Sequence, residues 1–233
     1  MEPLNLEPTL FPGSVVAHAL RLSAPTAAML DRFHGVVVPE ALAGAVLKRR
    51  VEFAAGRFCA REALRVCEPS LGGVHVGIGE NREPRWPAGV VGAISHTTGY
   101  VAAAVARSEH VGGLGLDLER WMDSDAPERI GSMIVVDDEL ERLGAQTGWT
   151  ESEVLTLVFS AKESVYKCLY PEVLRYFGFH CARVETIDLA RGAFVARLTE
   201  RLTDGLPAGL RLEGRFERRE EVVVTALATA PRR

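Results

Sequence analysis

Two periodicities organise the apolar residues of this chain. Over residues 39–67, Leu42, Val46, Phe53, Ala60 and Leu64 fall near one face at 3.6 residues per turn, which predicts a helix. Pro69 and the Gly72-Gly73 pair are expected to end it. Residues 150–171 read as the clearest helix. Thr150 and Glu153 have capping-box spacing, Val154, Val158, Ala161, Val165, Cys168 and Leu169 form an apolar stripe, and Pro171 is the expected stop. Between them, "VVGAISH" and "YVAAAVA" flank Thr97-Thr98-Gly99 as a β-hairpin would, and "VGGLGLDLE" (111–119) reads as a third strand. Residues 126–146 look helical but weakly patterned. The tail "RLEGRFERREEVVVTALAT" reads as two strands with a charged turn. A division near 108–112 separates an N-terminal subdomain, 1–110, from a C-terminal one, 111–233. Each holds a long helix and a few strands, so the expected class is α+β.

Composition narrows the setting. The net charge of −4 over 233 residues speaks against a broad basic surface for nucleic acid, though not against a local basic pocket. Cys59, Cys67, Cys168 and Cys181 form no CxxC pair, as free thiols of a reducing cytosol would not. The opening "MEPLNLEPTLFPG" is acidic and lacks the basic start of a signal peptide, and no apolar run approaches the ~20 residues of a membrane helix. A soluble, cytoplasmic protein with no membrane or nucleic-acid partner is expected.

The segment "GLGLDLER" (113–120) carries the candidate chemistry. In a strand, Asp117 and Glu119 project to one side while Leu116 and Leu118 point the other way into a core. Two carboxylates this close repel unless a cation or proton lies between them. They could end a strand in solvent with Arg120 as partner, or form part of a site. A third acid, Glu163, lies on the helix face opposite the apolar stripe, beside Phe159, Tyr166 and Tyr170. An i,i+4 salt bridge with Lys167 would explain Glu163 but not those aromatics. Together the three acids suit a hard divalent cation such as Mg²⁺, whereas no His/Cys set suggests zinc.

Fixed positive charge is also present. Arg49 and Arg57 are eight residues apart and share a helix face, where they either pair internally or reach an anion. Lys162 borders the apolar face of the second helix, and Arg82 lies in the turn-like "GENREPRWP". Ser95 and His96 are strand neighbours that point to opposite sides, so they make no dyad by themselves. The glycines of 112–115 lack the dinucleotide fingerprint and are expected to permit close backbone approach.

The pair of motifs resembles a known family. "GLGLDLE" is similar to the G-[IV]-D-x-E signature of 4'-phosphopantetheinyl transferases, and "FSAKESVYK" (159–167) to their [WF]-x-x-K-E-[SA]-x-x-K signature. "KRRVEFAAGRFCAREAL", "REPRWPAGVVGAISHTTGY" and "LRYFGF" resemble the larger, monomeric branch, the surfactin-synthetase-activating and enterobactin-synthetase component D-like group. The resemblance implies two similar halves related by a pseudo-twofold axis, each a small antiparallel sheet packed with a long helix, with the active site between them. It implies transfer of 4'-phosphopantetheine from coenzyme A to a serine of an acyl or peptidyl carrier protein, releasing adenosine 3',5'-bisphosphate. Asp117, Glu119 and Glu163 would then bind Mg²⁺. Lys162 and Lys167 would contact the pyrophosphate and the transferred phosphate. His96, with Ser95 beside it, would meet the 3'-phosphate, Arg49 and Arg57 would hold that end, and Arg82 the adenine-side loop. In the family lysine is frequent at the Arg82 position. Leu118, between the two acids, cannot be a ligand.

The chemistry of these residues fits phosphoryl transfer, which needs positioning and stabilised negative charge. The attacking serine also needs a base, for which Glu163 is the first candidate, with Lys167 as its catalytic partner. Competing readings are a Mg²⁺-dependent phosphohydrolase or nuclease, and a non-catalytic coenzyme A-binding protein. A nuclease should carry a basic track, and a degenerate binder would be free to lose the acids and lysines. The carrier and pathway served, whether fatty-acid, polyketide, nonribosomal-peptide or siderophore, are not specified.

Overall fold

A computed structural model describes residues 1–231. In chain order the elements are β1 (Glu2–Pro3), β2 (Val16–Arg21), α1 (Ala27–Arg32), α2 (Leu47–Cys67), β3 (Gly77–Ile78), β4 (Pro84–Arg85), β5 (Val90–Thr97), β6 (Tyr100–Arg107) and β7 (Gly113–Arg120), followed by α3 (Ala126–Ile134), α4 (Glu139–Thr147), α5 (Glu151–Val173), β8 (Ala182–Asp188), β9 (Ala193–Leu198), β10 (Arg211–Arg218) and β11 (Val222–Thr229). Two antiparallel sheets result, ordered β1-β2-β6-β5 and β7-β11-β10-β9-β8, with β3 and β4 as a separate ribbon. The α+β class is therefore as expected.

Alternation along the strands builds three cores. Val101, Ala103 and Val105 of β6 face α2, against Val51, Ala55, Cys59 and Leu64. On the other side of β6, Ala102, Ala104 and Ala106 meet Leu114, Leu116 and Leu118 of β7 and Val222 and Val224 of β11. The far side of the second sheet packs on α5 through Val158, Ala161, Val165 and the strand residues Phe194, Ala196 and Leu227. The layers are thus helix, sheet, sheet, helix, and β5 lies beside β7 where the two sheets meet. The N-terminal segment crosses this division, since Leu10 is buried in the inter-sheet core and the Glu7 N–H donates to Glu217.

Several boundaries differ from the pattern reading. The first long helix begins at Leu47 rather than 39, because Val46 is extended (φ −56°, ψ 147°) and residues Glu40–Leu42 form only a 3₁₀ turn. Val46 is consequently 72% exposed and does not belong to the stripe. Pro171 does not stop α5, which continues to Val173 and ends at Leu174 in the left-handed region (φ 51°). A proline this near the end forfeits one backbone bond, and burial of Val173 offsets it. Residues 126–146 form two helices, with Val135 extended and Asp137 at φ 46° between them. Residues 182–198 supply two further strands. The outer edge of β8 is covered by α4: Arg142 donates to the carbonyls of Val184 and Glu185, and Gln146 accepts from the Ile187 N–H, which leaves little free edge for another chain. The capping box forms as expected, with the Glu153 N–H on Thr150 Oγ1 (3.3 Å) and the Thr150 N–H on Glu153 Oε2 (3.0 Å). All four cysteines are free thiols. No helix of the described residues is long and apolar enough to cross a membrane.

The glycines of β7 have a definite task. A Cβ on Gly115 would fall 1.9 Å from the Ser164 carbonyl oxygen, and one on Gly113 2.6 Å from that of Cys168. They bring β7 against the backbone of α5. Gly115→Ala should therefore lower stability by about 3 kcal/mol through overpacking, as measured by urea unfolding. A loss below ~0.5 kcal/mol, the usual scatter of neutral changes, would contradict this packing.

Candidate active site

Alternation in β7 sends the three leucines into the inter-sheet core and Asp117 toward α5. Asp117 is only 2% exposed, and a carboxylate so buried needs partners. Its partners come from two elements, α5 and β5. Lys167 Nζ of α5 lies 2.6 Å from Oδ1, Ser95 Oγ of β5 donates to Oδ1 at 2.7 Å, and Ser160 Oγ of α5 donates to Oδ2 at 2.8 Å. Lys167 Nζ also donates to Ser95 Oγ at 3.0 Å. Arg120 is not the partner. It turns to Glu221 at 3.1 Å and to the Thr98 carbonyl. Ser160 was not among the expected residues, although Ser160 and Ser164 share one face of α5 at i,i+4 and both approach Thr225 of β11.

Glu119 and Glu163 flank this ion pair. Burial, then the neighbouring Asp117 charge and that of Glu163, push the Glu119 carboxyl up to about 8, against the opposing pull of Lys167. Glu163 is likewise raised, chiefly by burial, and its Oε2 lies 3.9 Å from Lys167 Nζ. Among the described residues, no three His, Cys, Asp or Glu side chains stand arranged around one metal position. The physical reason is local: the ammonium of Lys167 lies against Asp117, where a cation would be drawn. The donor chemistry nonetheless fits a hard divalent ion, since all three groups are carboxylates and two of them are unfavourably charged as they stand.

The basic residues divide between places. Arg49 of α2 donates from Nη1 to His96 Nε2 at 2.7 Å. The His96 pKa is lowered to about 4, by burial first and then by the charges of Arg49 and Lys167. Lys48, beside Arg49, donates to Thr98 Oγ1 at 2.8 Å. Arg57 lies two turns further along α2, over the Phe53 ring at 4.8 Å, and donates to the Gly77 carbonyl at 3.2 Å. Its Nε is buried without a hydrogen-bond partner, and its pKa is lowered to about 10 by burial, which leaves it charged at neutral pH. It lines a groove of about 350 Å³ with Phe53, Arg61 and His75. Arg82 is exposed with φ 68°, in the turn between β3 and β4.

Lys162 is not brought to the carboxylates. It is 3% exposed and donates to Glu139 Oε2 and the Ile134 carbonyl, both at 2.7 Å. Glu139, itself fully buried, also accepts from the Val136 and Val184 N–H groups. Lys162 therefore ties α5 to α3, α4 and β8, and the contact with the pyrophosphate expected for it finds no support in this position. Its place bordering the apolar stripe predicted a buried stem but not where the ammonium would end.

The aromatic second face of α5 packs on residues 176–179. Tyr166 lies 4.7 Å from the Phe177 ring, and Phe159 lies 5.3 Å from Phe179. Glu163, Tyr166 and Lys167 also line a groove of about 510 Å³ with Arg82, Trp86 and Ile94. Glu163, Lys167 and Arg82 thus line one groove between β5 and α5, an arrangement of charge that fits the class of proteins that handle phosphorylated ligands.

Comparison with known proteins specifies that class. Residues 38–106 match the 4'-phosphopantetheinyl transferase N-terminal domain, and residues 113–213 match the 4'-phosphopantetheinyl transferase superfamily. The chain is 34% identical over 198 residues to the 4'-phosphopantetheinyl transferase Npt of Nocardia iowensis, covering 81% of this chain and 86% of that protein. It is 38% identical over 194 residues to the 4'-phosphopantetheinyl transferase Svp of Streptomyces mobaraensis, covering 81% and 76%. Enterobactin synthase component D of Salmonella typhi is 34% identical over 160 residues, covering 66% and 64%. The chain belongs to the 4'-phosphopantetheinyl transferase superfamily, and it is an enzyme that transfers 4'-phosphopantetheine to carrier proteins. The phosphohydrolase, nuclease and non-catalytic alternatives fall away.

The Glu119 environment has a measurable consequence. A folded pKa of about 8 against an unfolded value of 4.5 means that its stabilising contribution is full below pH 4.5 and is lost as pH rises through 8. In chelator-containing buffer, Glu119→Gln should unfold at a higher temperature than the wild type at pH 9, with the gap closing toward pH 5. A gap that is constant across this range would contradict the buried, like-charged setting.

Proposed function

We propose that the groove at the sheet junction is where 4'-phosphopantetheine passes from coenzyme A to the serine hydroxyl of an acyl or peptidyl carrier protein. Asp117, Glu119 and Glu163 would hold Mg²⁺, and adenosine 3',5'-bisphosphate would leave. The observation that carries this reading is the concentration of three carboxylates around one ammonium, two of them raised by burial and by the neighbouring Asp117 charge. When bound, Mg²⁺ supplies Lewis acidity that stabilises charge on the pyrophosphate oxygens.

The chain's own residues supply the rest. Lys167 sits between Asp117 and Glu163, 2.6 Å and 3.9 Å away, and can turn from Asp117 to a phosphate oxygen with little displacement. Arg49 and His96 together would grip the 3'-phosphate, with Arg57 further along α2 and Arg82 closing the adenine side. The carrier serine oxygen forms a bond to the phosphorus bearing pantetheine, as the bond to the bridging oxygen of the nucleotide breaks. Glu163, whose carboxyl burial raises above its ordinary value and so makes a stronger base, takes the serine proton. The division into subdomains 1–110 and 111–233 belongs to this reading, and the arrangement of the strands in two sheets supports it. The expected pseudo-twofold relation, monomeric state and cytoplasmic location belong to the same reading.

Two measurements test it. Incubation with coenzyme A, Mg²⁺ and an apo carrier should raise the carrier mass by one phosphopantetheine group, and chelation of the metal should stop the reaction. Glu163→Gln should lower kcat/KM by about 100-fold or more, the scale of removing a principal electrostatic group, while its unfolding midpoint stays near that of the wild type. Near-normal turnover of that variant would overturn the assignment of Glu163.

A further inference from the structure

Glu52 of α2 is a carboxylate in the wrong place for an anion site. It is 8% exposed. It lies among the basic groups that the proposed function assigns to the 3'-phosphate, where its own charge would repel the ligand. Its nearest partners are Lys48 Nζ at 3.8 Å, one helical turn earlier, and His96 Nδ1 at 3.7 Å. Burial is the main cause of its raised pKa, opposed by Lys48 and Arg49. Neither partner is at hydrogen-bonding distance, so the two contacts together only partly offset the cost of burying the charge. A stabilising role for the ion pair alone does not account for it.

The geometry of His96 does. Arg49 Nη1, which can only donate, lies 2.7 Å from His96 Nε2. Nε2 is therefore the acceptor, and the ring proton sits on Nδ1, the nitrogen that faces Glu52. At 3.7 Å the Glu52 carboxylate acts on the ring through its charge, which favours the proton on Nδ1 and favours the doubly protonated ring. A ring backed in this way can accept from Arg49 while the site is free of ligand. It can take up a second proton on Nε2 when a phosphate dianion draws Arg49 away. Ser95, the strand neighbour of His96, points to the other face of β5 and donates to Asp117, so the two ends of the nucleotide site are linked through one strand.

We infer that Glu52 is a positioning residue for recognition of the 3'-phosphate of coenzyme A, acting through His96 and not by touching the substrate. The inference rests on the assignment of Arg49 and His96 to that phosphate. It can be tested separately from that assignment by calorimetric binding of adenosine 3',5'-bisphosphate and of adenosine 5'-monophosphate, which differ only in the group at issue. Glu52→Gln, of the same shape, should weaken the bisphosphate about tenfold, the low end for loss of such a supporting partner, and leave the monophosphate unchanged. Adding His96→Ala to it should cost nothing beyond His96→Ala alone. Equal weakening of both nucleotides by Glu52→Gln, no weakening of either, or full additivity with His96→Ala overturns the inference. His96→Ala that leaves the preference for the bisphosphate intact overturns the phosphate assignment itself. Independently of any variant, ¹⁵N spectra of the ligand-free protein should show the His96 proton on Nδ1. A ring protonated on Nε2 would contradict the arrangement.

Discussion

The ion pair between Lys167 and Asp117 is the interaction on which the site depends. Asp117 is buried on a central strand, and its 2.6 Å contact with Lys167, with two serine hydroxyls beside it, is what makes that burial tolerable. Because Asp117 lies on β7 and its partners on β5 and α5, the same cluster joins the two sheets and orients the long helix. It also sets the electrostatics. Three acids share one ammonium, and burial first, with the neighbouring Asp117 charge, raises the Glu119 and Glu163 carboxyls above the ordinary carboxylate range. Under the proposed function, such a site would take a divalent cation and a phosphate that can share the lysine.

The layers make the cluster possible. Leucines on one side of β7 fill the space between sheets against the alanines of β6, and small residues there allow the sheets to approach. Glycines on the other side admit the backbone of α5 at van der Waals distance. Asp117 can meet α5 side chains directly only because Gly113 and Gly115 remove the bulk beside it. Strand alternation then carries function across β5 as well: Ser95 turns to the carboxylates while His96 turns to Arg49 and Glu52.

Much of this was legible in the residues. The alternation in "GLGLDLER", the capping box of α5 and the hairpin at Thr97-Thr98-Gly99 each obey a local rule, and each forms as read. The glycines were legible as sites of close approach, though not that α5 was the neighbour. What escaped depended on tertiary context. The start of α2 was misplaced because Val46 keeps the period while its backbone leaves the helix. Pro171 looked like a stop because a local penalty does not register the burial of Val173. Lys162 and Lys167 are five apart on one helix and equally basic. Only the position of Glu139, on a separate helix, decides that one is a structural tie and the other faces the acids. Glu52 carries no local signal, because its partner His96 lies on a strand 44 positions away.

The central claim is that Asp117, Glu119 and Glu163 form one cation site, and metal binding tests it more directly than turnover. Titration of the protein with Mn²⁺ in the presence of coenzyme A, followed by electron paramagnetic resonance of the free ion, should reveal one bound ion per chain. Asp117→Asn and Glu163→Gln should each lose that binding while remaining folded. Retention of the same stoichiometry and affinity in both variants would place the metal elsewhere and contradict the account.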